Sequence, residues 1–241
     1  MLAKPEVTLA QAIASLDWQS IESEINKFGY ATTGPLLSPE LCAAITASYA
    51  TPSLFRSRVV MARQGFGLGE YQYFAYPLPD TIQILRATLY PHLARIANTW
   101  ATPRAIEETF PAQHSDFQIL CHQQGQLRPT PLLLRYGPGD YNCLHQDLYR
   151  DLHFPLQAAF LLDRPGQDFT GGEFVLTEQR PRMQSRAEVV PLQQGEAVIF
   201  AVNQRPVQGT RGTYRVNMRH GVSRLRSGKR HTLGIIFHDA R

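Results

Sequence analysis

The run Arg135-Tyr-Gly-Pro-Gly-Asp-Tyr-Asn-Cys-Leu-His-Gln-Asp147 places a His-x-Asp pair just after a Gly/Pro-rich turn. If the backbone there is extended, residues i and i+2 share a face, so the His145 imidazole and the Asp147 carboxylate converge on one point. A later histidine would complete the two-His-one-carboxylate set that suits non-haem Fe(II) and leaves part of the coordination sphere open. His220 is the candidate, 75 residues on (220 − 145), at the end of Arg215-Val-Asn-Met-Arg-His220. On a strand, Val216, Met218 and His220 share one face and Arg215, Asn217 and Arg219 the other, so His220 is expected to point inward. Further on, the same alternation puts Arg230 with Thr232, Gly234 and Ile236. A charge on an inward face is costly without an opposite charge, and a guanidinium fork beside a hydroxyl suits a carboxylate bidentately. The competing reading has Arg230 ending a loop in solvent.

A second His-x-Asp, His114-Ser115-Asp116, lies in a segment expected to be helical from Pro111 to Gly125, where side chains two apart diverge. It is read as a decoy, and His122 as a surface or packing histidine. Cys42, Cys121 and Cys143 are odd in number and form no Cys-x-x-Cys, which argues against a disulfide framework or a zinc-thiolate site and fits a reducing cytoplasm. No basic-then-apolar leader opens the sequence and no apolar run approaches a bilayer's thickness, so no membrane partner is expected. Net charge is +4, from 24 Lys+Arg and 20 Asp+Glu. The basic residues concentrate between Arg180 and Arg230. That distribution fits either a phosphate-binding surface or a solvated rim.

These residues need elements to hold them. Thr8 and Asp17 are placed to cap two amphipathic helices, the second carrying Trp18, Ile21, Ile25 and Phe28 before Gly29 as stop. Ser38-Pro39-Glu40 opens a third, running to about Tyr49. A long helix is expected after Pro79-Asp80, with Pro91 as a possible kink or division. Strand-like alternation occurs at Phe55–Val60 and Glu70–Phe74, and the Gly65-Phe-Gly-Leu-Gly69 stretch between reads as a mobile connection rather than a nucleotide loop. From Pro131 onward short apolar runs recur between turn signals: 132–136, 156–162, 173–176, 187–190, 197–202, 214–218 and 232–237. The expected fold class is α+β with a mainly β core, a jelly roll or barrel braced by N-terminal helices. We expect one domain over 1–241, with 1–130 mainly helical support and 131–241 the catalytic core.

The order His145-x-Asp147, Gly171-Gly-Glu-Phe174, Gly195-Glu-Ala-Val-Ile-Phe200, His220 and Arg230-x-Thr232 resembles the Fe(II)/2-oxoglutarate-dependent dioxygenases, built on a double-stranded β-helix. The likeness covers roughly 132–239; together the motifs are specific, singly none is. It implies Fe(II) on His145, Asp147 and His220, and 2-oxoglutarate on Arg230 with help from Thr232. It also implies O2 as co-substrate and ascorbate as a stimulant. Tyr136, in a Tyr-Gly-Pro-Gly segment like that of prolyl-hydroxylase-like members, is similar to a tyrosine that hydrogen-bonds the co-substrate, with Tyr141 and Tyr149 as rivals. Thr170-Gly-Gly-Glu-Phe-Val-Leu-Thr-Glu-Gln-Arg-Pro-Arg-Met-Gln-Ser-Arg186 and the Arg230–Asp239 end resemble a bacterial group described as predicted to demethylate damaged DNA. That resemblance implies a nucleic-acid substrate as one reading, with Tyr71, Tyr73 and Phe74 able either to stack a base or to pack the core, while the Tyr-Gly-Pro-Gly start and the Gly-Gly-Glu turn look equally like prolyl hydroxylases. The alternatives are prolyl-hydroxylase-like oxidation of a peptide or amino-acid side chain, and a non-catalytic jelly roll used as a ligand-binding or sensing module.

Overall fold

The computed structural model describes residues 8–100, 109–147, 152–210 and 212–241. Local signals fix the helix ends. A Thr8/Gln11 capping box opens α1 (Leu9–Ala14), and Asp17 accepts from the Ser20 amide (3.0 Å) to open α2 (Trp18–Phe28). Gly29 ends α2 in the left-handed region, at φ 84. Ser38 caps α3 (Pro39–Ser48), with Pro39 in its first turn. Helix α4 (Asp80–Thr99) runs through Pro91 undivided. Buried Leu85 and Leu89 before the proline and Leu93 and Ile96 after it pack into one core, which holds both halves in line against the roughly 3 kcal/mol an internal proline costs. Helix α5 (His114–Gln123) follows. No helix among the described residues is long and apolar enough to cross a membrane.

The strands, in order, are β1 (Tyr30–Pro35), β2 (Phe55–Val60), β3 (Gly67–Leu68), β4 (Glu70–Phe74), β5 (Leu132–Tyr136), β6 (Tyr141–His145), β7 (Leu156–Leu161) and β8 (Phe169–Gly171). They continue with β9 (Phe174–Gln179), β10 (Arg186–Val190), β11 (Glu196–Ala201), β12 (Gln204–Gly209), β13 (Gly212–Val222), β14 (Leu225–Gly228) and β15 (Arg230–Ile235). One antiparallel sheet has the order β1-β11-β7-β15-β5-β4-β2 and the other β10-β9-β13-β6-β3, with β12 also on β13. The chain passes between these sheets: β5, β7, β11 and β15 lie in the first, β6, β9, β10 and β13 in the second. This is the winding of a double-stranded β-helix, open rather than closed into a barrel.

Residue parity on the first sheet separates two cores. Leu156, Ala158 and Phe160 of β7, with Leu233 and Ile235 of β15, face the helices. Ala159 and Leu161, with Val198 and Phe200 of β11, face the second sheet. Arg86 of α4 fastens the exit of β15: this buried guanidinium donates to the carbonyls of Ile236 (2.9 Å), Phe237 (3.0 Å) and His238 (2.9 Å) and pairs with Asp239 (2.7 Å). His122, expected at the surface or in packing, puts Nε2 2.8 Å from the other Asp239 oxygen.

Several strands exceed the sequence expectation. The glycine-rich 65–69 stretch is not a free connection, because β3 pairs with β6 (Gly67 opposite Asn142). β12 is polar and contains Pro206, yet it pairs with β13 along its whole length, at an edge that tolerates a proline.

Candidate metal centre and co-substrate pocket

Strand β6 delivers His145 at its last residue, and β13 delivers His220 directly opposite in register. The rings lie 4.2 Å apart between centroids. Two residues beyond β6, Asp147 brings Oδ1 to 3.7 Å from His145 Nε2 and Oδ2 to 3.5 Å from His220 Nε2. One potential ligand atom from each of the three residues lies within 4.8 Å of the others. His145 Nδ1 sits 2.7 Å from the Cys143 carbonyl and can donate to it, which leaves the Nε2 lone pair free for a cation. Burial holds the His220 imidazole down at about 4, with Asp147 opposing and His145 reinforcing the shift, so His220 is a neutral donor at pH 7.

Neighbours fix the connecting turn. The Gln146 amide donates to the Asn203 carbonyl (3.1 Å), Asn203 Oδ1 (2.8 Å) and the Met218 carbonyl (2.9 Å), fastening the His145–Asp147 link to β13. Gln157 of β7 donates through Nε2 to Asp147 Oδ2 at 2.8 Å. Sequence reasoning missed Gln157. The available signal was one amide in an otherwise apolar buried strand, Leu156-Gln-Ala-Ala-Phe-Leu161, where a buried polar group requires a partner.

At the start of β15, Arg230 is 1% exposed and has no carboxylate within ion-pair distance among the described residues. Its Nη1 donates to Thr232 Oγ1 (2.5 Å), while Nε has no partner. Burial draws the guanidinium below its ordinary value, Tyr136 countering. The Tyr136 ring lies 5.6 Å from the guanidinium carbon, and its buried hydroxyl also has no hydrogen-bond partner. Unmet donors around a buried cation are the features a bound carboxylate would satisfy.

One cavity of about 460 Å³ is lined by all six residues singled out from sequence: His145, Asp147, His220, Arg230, Thr232 and Tyr136. Of the rival tyrosines, Tyr141 is not among the lining residues and Tyr149 lies outside the described residues. Tyr71, Tyr73 and Phe66 also line the cavity, whereas Phe74 is buried in the helix-side core. His114, of the decoy pair, is buried at the start of α5 with Nε2 2.9 Å from the Phe237 carbonyl, while Asp116 faces solvent. The basic stretch also divides. Arg180, Arg182, Arg186, Arg219, Arg224 and Arg226 are exposed, whereas Arg205 is buried in an ion pair with Glu178, its guanidinium also donating to the α2 carbonyls of Asn26 (2.8 Å) and Lys27 (3.0 Å).

Comparison with known proteins adds sequence and fold relationships. Residues 69–240 match a family described as oxygenases "catalysing oxidative methylation of damaged DNA". An uncharacterized protein found in two strains of Mycobacterium tuberculosis is 47% identical over 167 residues, spanning 69% of this chain and 72% of its own. A Pseudomonas putida prolyl-4-hydroxylase superposes with a TM-score of 0.53 at 15% identity, over 92% of this chain and 100% of its own. A Trichoplax adhaerens prolyl hydroxylase, solved with a hypoxia-inducible-factor peptide, gives 0.56 at 12% identity over 98% and 94%. A Burkholderia pseudomallei oxidoreductase of the 2OG-Fe(II) oxygenase family gives 0.53 at 14%, over 92% of each chain. At these identities the structural likenesses bear on the fold.

Proposed function

From the premise that the chain belongs to this family of damaged-DNA oxygenases, we propose that it is an Fe(II)/2-oxoglutarate-dependent dioxygenase that removes alkyl groups from nucleic acid by oxidation. The observation that carries the reading is a single cavity lined both by the His145, Asp147 and His220 ligand atoms and by the unmet donors of Arg230 and Tyr136. The residues fit both groups: two imidazoles and one carboxylate for Fe(II), and a buried guanidinium without an ion-pair partner among the described residues, with two hydroxyls, for a dicarboxylate. When bound, iron with 2-oxoglutarate and O2 supplies the oxidant that converts a substrate C–H to C–OH, 2-oxoglutarate leaving as succinate and CO2. On an N-methyl group that product loses formaldehyde, so oxidation there removes the methyl.

The chain's own residues do the rest. His145 and His220 would present nitrogen lone pairs, while Asp147 would contribute the negative charge that favours a hard divalent cation. Arg230 and Thr232 anchor the far carboxylate of the co-substrate, and Tyr136 donates beside them. The apolar wall of Leu132, Leu134, Ala159 and Phe200 excludes water from the reacting centre. For the substrate, the family, the exposed arginines of 180–226 and the aromatic lining of Tyr71, Tyr73 and Phe66 favour a flipped or single-stranded base over a peptide. Family membership also favours turnover over passive ligand binding.

The test combines turnover with binding. With Fe(II), ascorbate and 2-oxoglutarate, the protein should form succinate and release formaldehyde from methylated single-stranded DNA, and His145→Ala should form neither. Affinity for the strand should fall steeply with added salt. Succinate coupled to oxidation of a proline peptide, with DNA inert, would transfer the assignment to the hydroxylase alternative; equal background from wild type and His145→Ala would remove the enzyme reading.

A further inference from the structure

Gln157 is the one amide on the inner face of β7, whose other inward residues are Ala159 and Leu161. It is 6% exposed, and its Nε2 donates to Asp147 Oδ2 at 2.8 Å from a strand held on both sides by β11 and β15. Among the described residues no hydrogen-bond donor reaches Asp147 Oδ1, the oxygen nearer His145. The two carboxylate oxygens are therefore unequal. Oδ2 is held by a rigid strand, and Oδ1 faces His145 at 3.7 Å from Nε2.

We propose that Gln157 is a positioning residue that ties down one oxygen of Asp147, so that this side chain offers a cation a single oxygen and leaves an open position for the co-substrate. The inference rests on the oxygenase reading and adds a residue to it. A carboxylate free to rotate would offer both oxygens to a divalent cation, and a second oxygen ligand competes directly with a chelating oxo acid. A donor on Oδ2 restricts that rotation and weakens Oδ2 as a ligand. A side chain that served only packing would lack this link, and its loss would leave the electronic spectrum of a bound metal unchanged.

The test uses the full chain, Gln157→Leu, which keeps bulk but has no donor, and Gln157→Met, which keeps the unbranched length but has no donor. Co(II) is loaded first and its visible absorption, which reports ligand number and geometry, is recorded. Anaerobic Fe(II) protein is then titrated with 2-oxoglutarate, following the visible charge-transfer band that an iron-chelated oxo acid produces. Both variants should still bind Co(II) but with an altered spectrum, and should need about tenfold more 2-oxoglutarate to reach half-saturation. A Co(II) spectrum and a half-saturation point identical to wild type in both variants would overturn the role given to Gln157. Wild-type protein that binds Co(II) but develops no band with 2-oxoglutarate would overturn the oxygenase reading, while the Co(II) spectra would still decide the role of Gln157.

Discussion

Arg230 is a buried cation lining the cavity, without an ion-pair partner among the described residues. Holding it there costs stability until an anion arrives. Arg230→Met should therefore melt no lower than wild type in the absence of ligands. With Mn(II) present, wild type should gain about 2.7 kcal/mol when 2-oxoglutarate is raised to a hundred times its dissociation constant, and the variant should gain nothing. Thermal scanning with and without 2-oxoglutarate checks both halves. At this scale the sequence was informative where strand parity applied: Val216, Met218 and His220 alternate with exposed neighbours as the pattern required. It was silent on Gln157, Gln146 and Arg86, whose partners lie far along the chain or on backbone carbonyls that no local pattern marks.

Between elements, β13 packs closely against β6 beside the site. A Cβ on Gly221 would meet the Asn142 carbonyl at 2.7 Å and the Cys143 carbonyl at 3.2 Å. Gly221→Ala should push the two strands apart beside the His145/His220 pair, lowering Fe(II) affinity about tenfold or more with far-UV dichroism unchanged. An unchanged metal titration would show that the backbone relaxes around the methyl. Helix ends were legible because caps are local, as at Thr8, Asp17, Ser38 and Gly29. Strands β3, β8, β12 and β14 were not, since they are short or polar and owe their pairing to partners the sequence does not reveal.

Over the molecule as a whole, buried neutral histidines set the acid limit. Burial holds His114 down at about 4, and His238, which accepts from the Phe154 amide (3.2 Å), down at about 3. Unfolded histidine titrates near 6.5, so above that pH neither group affects stability. Below it the unfolded chain binds more protons, and each group costs roughly 1.4 kcal/mol per pH unit, down to about pH 4 for His114 and about pH 3 for His238. Two such groups would consume most of an ordinary domain's 5–15 kcal/mol, so denaturant midpoints should be level between about pH 7 and 8 and fall sharply between about 6 and 4. We propose that the loss is a single transition, since β1 pairs with β11 and β4 with β5, tying the first 130 residues to the rest. Intrinsic fluorescence and far-UV dichroism should then give coincident curves; separated curves would mean two independently folding parts.

The direct opposition of His220 and His145 across β13 and β6 carries a consequence for natural variation. Inserting or deleting one residue between Val216 and His220 would turn the imidazole to the outside of the sheet. The exposed turn at Arg180–Ser185, which joins β9 to β10, can lengthen or shorten with no such effect. Relatives that keep the chemistry should therefore concentrate their indels in such hairpin tips and preserve the odd-even phase of the strands, whatever the spacing between their ligands.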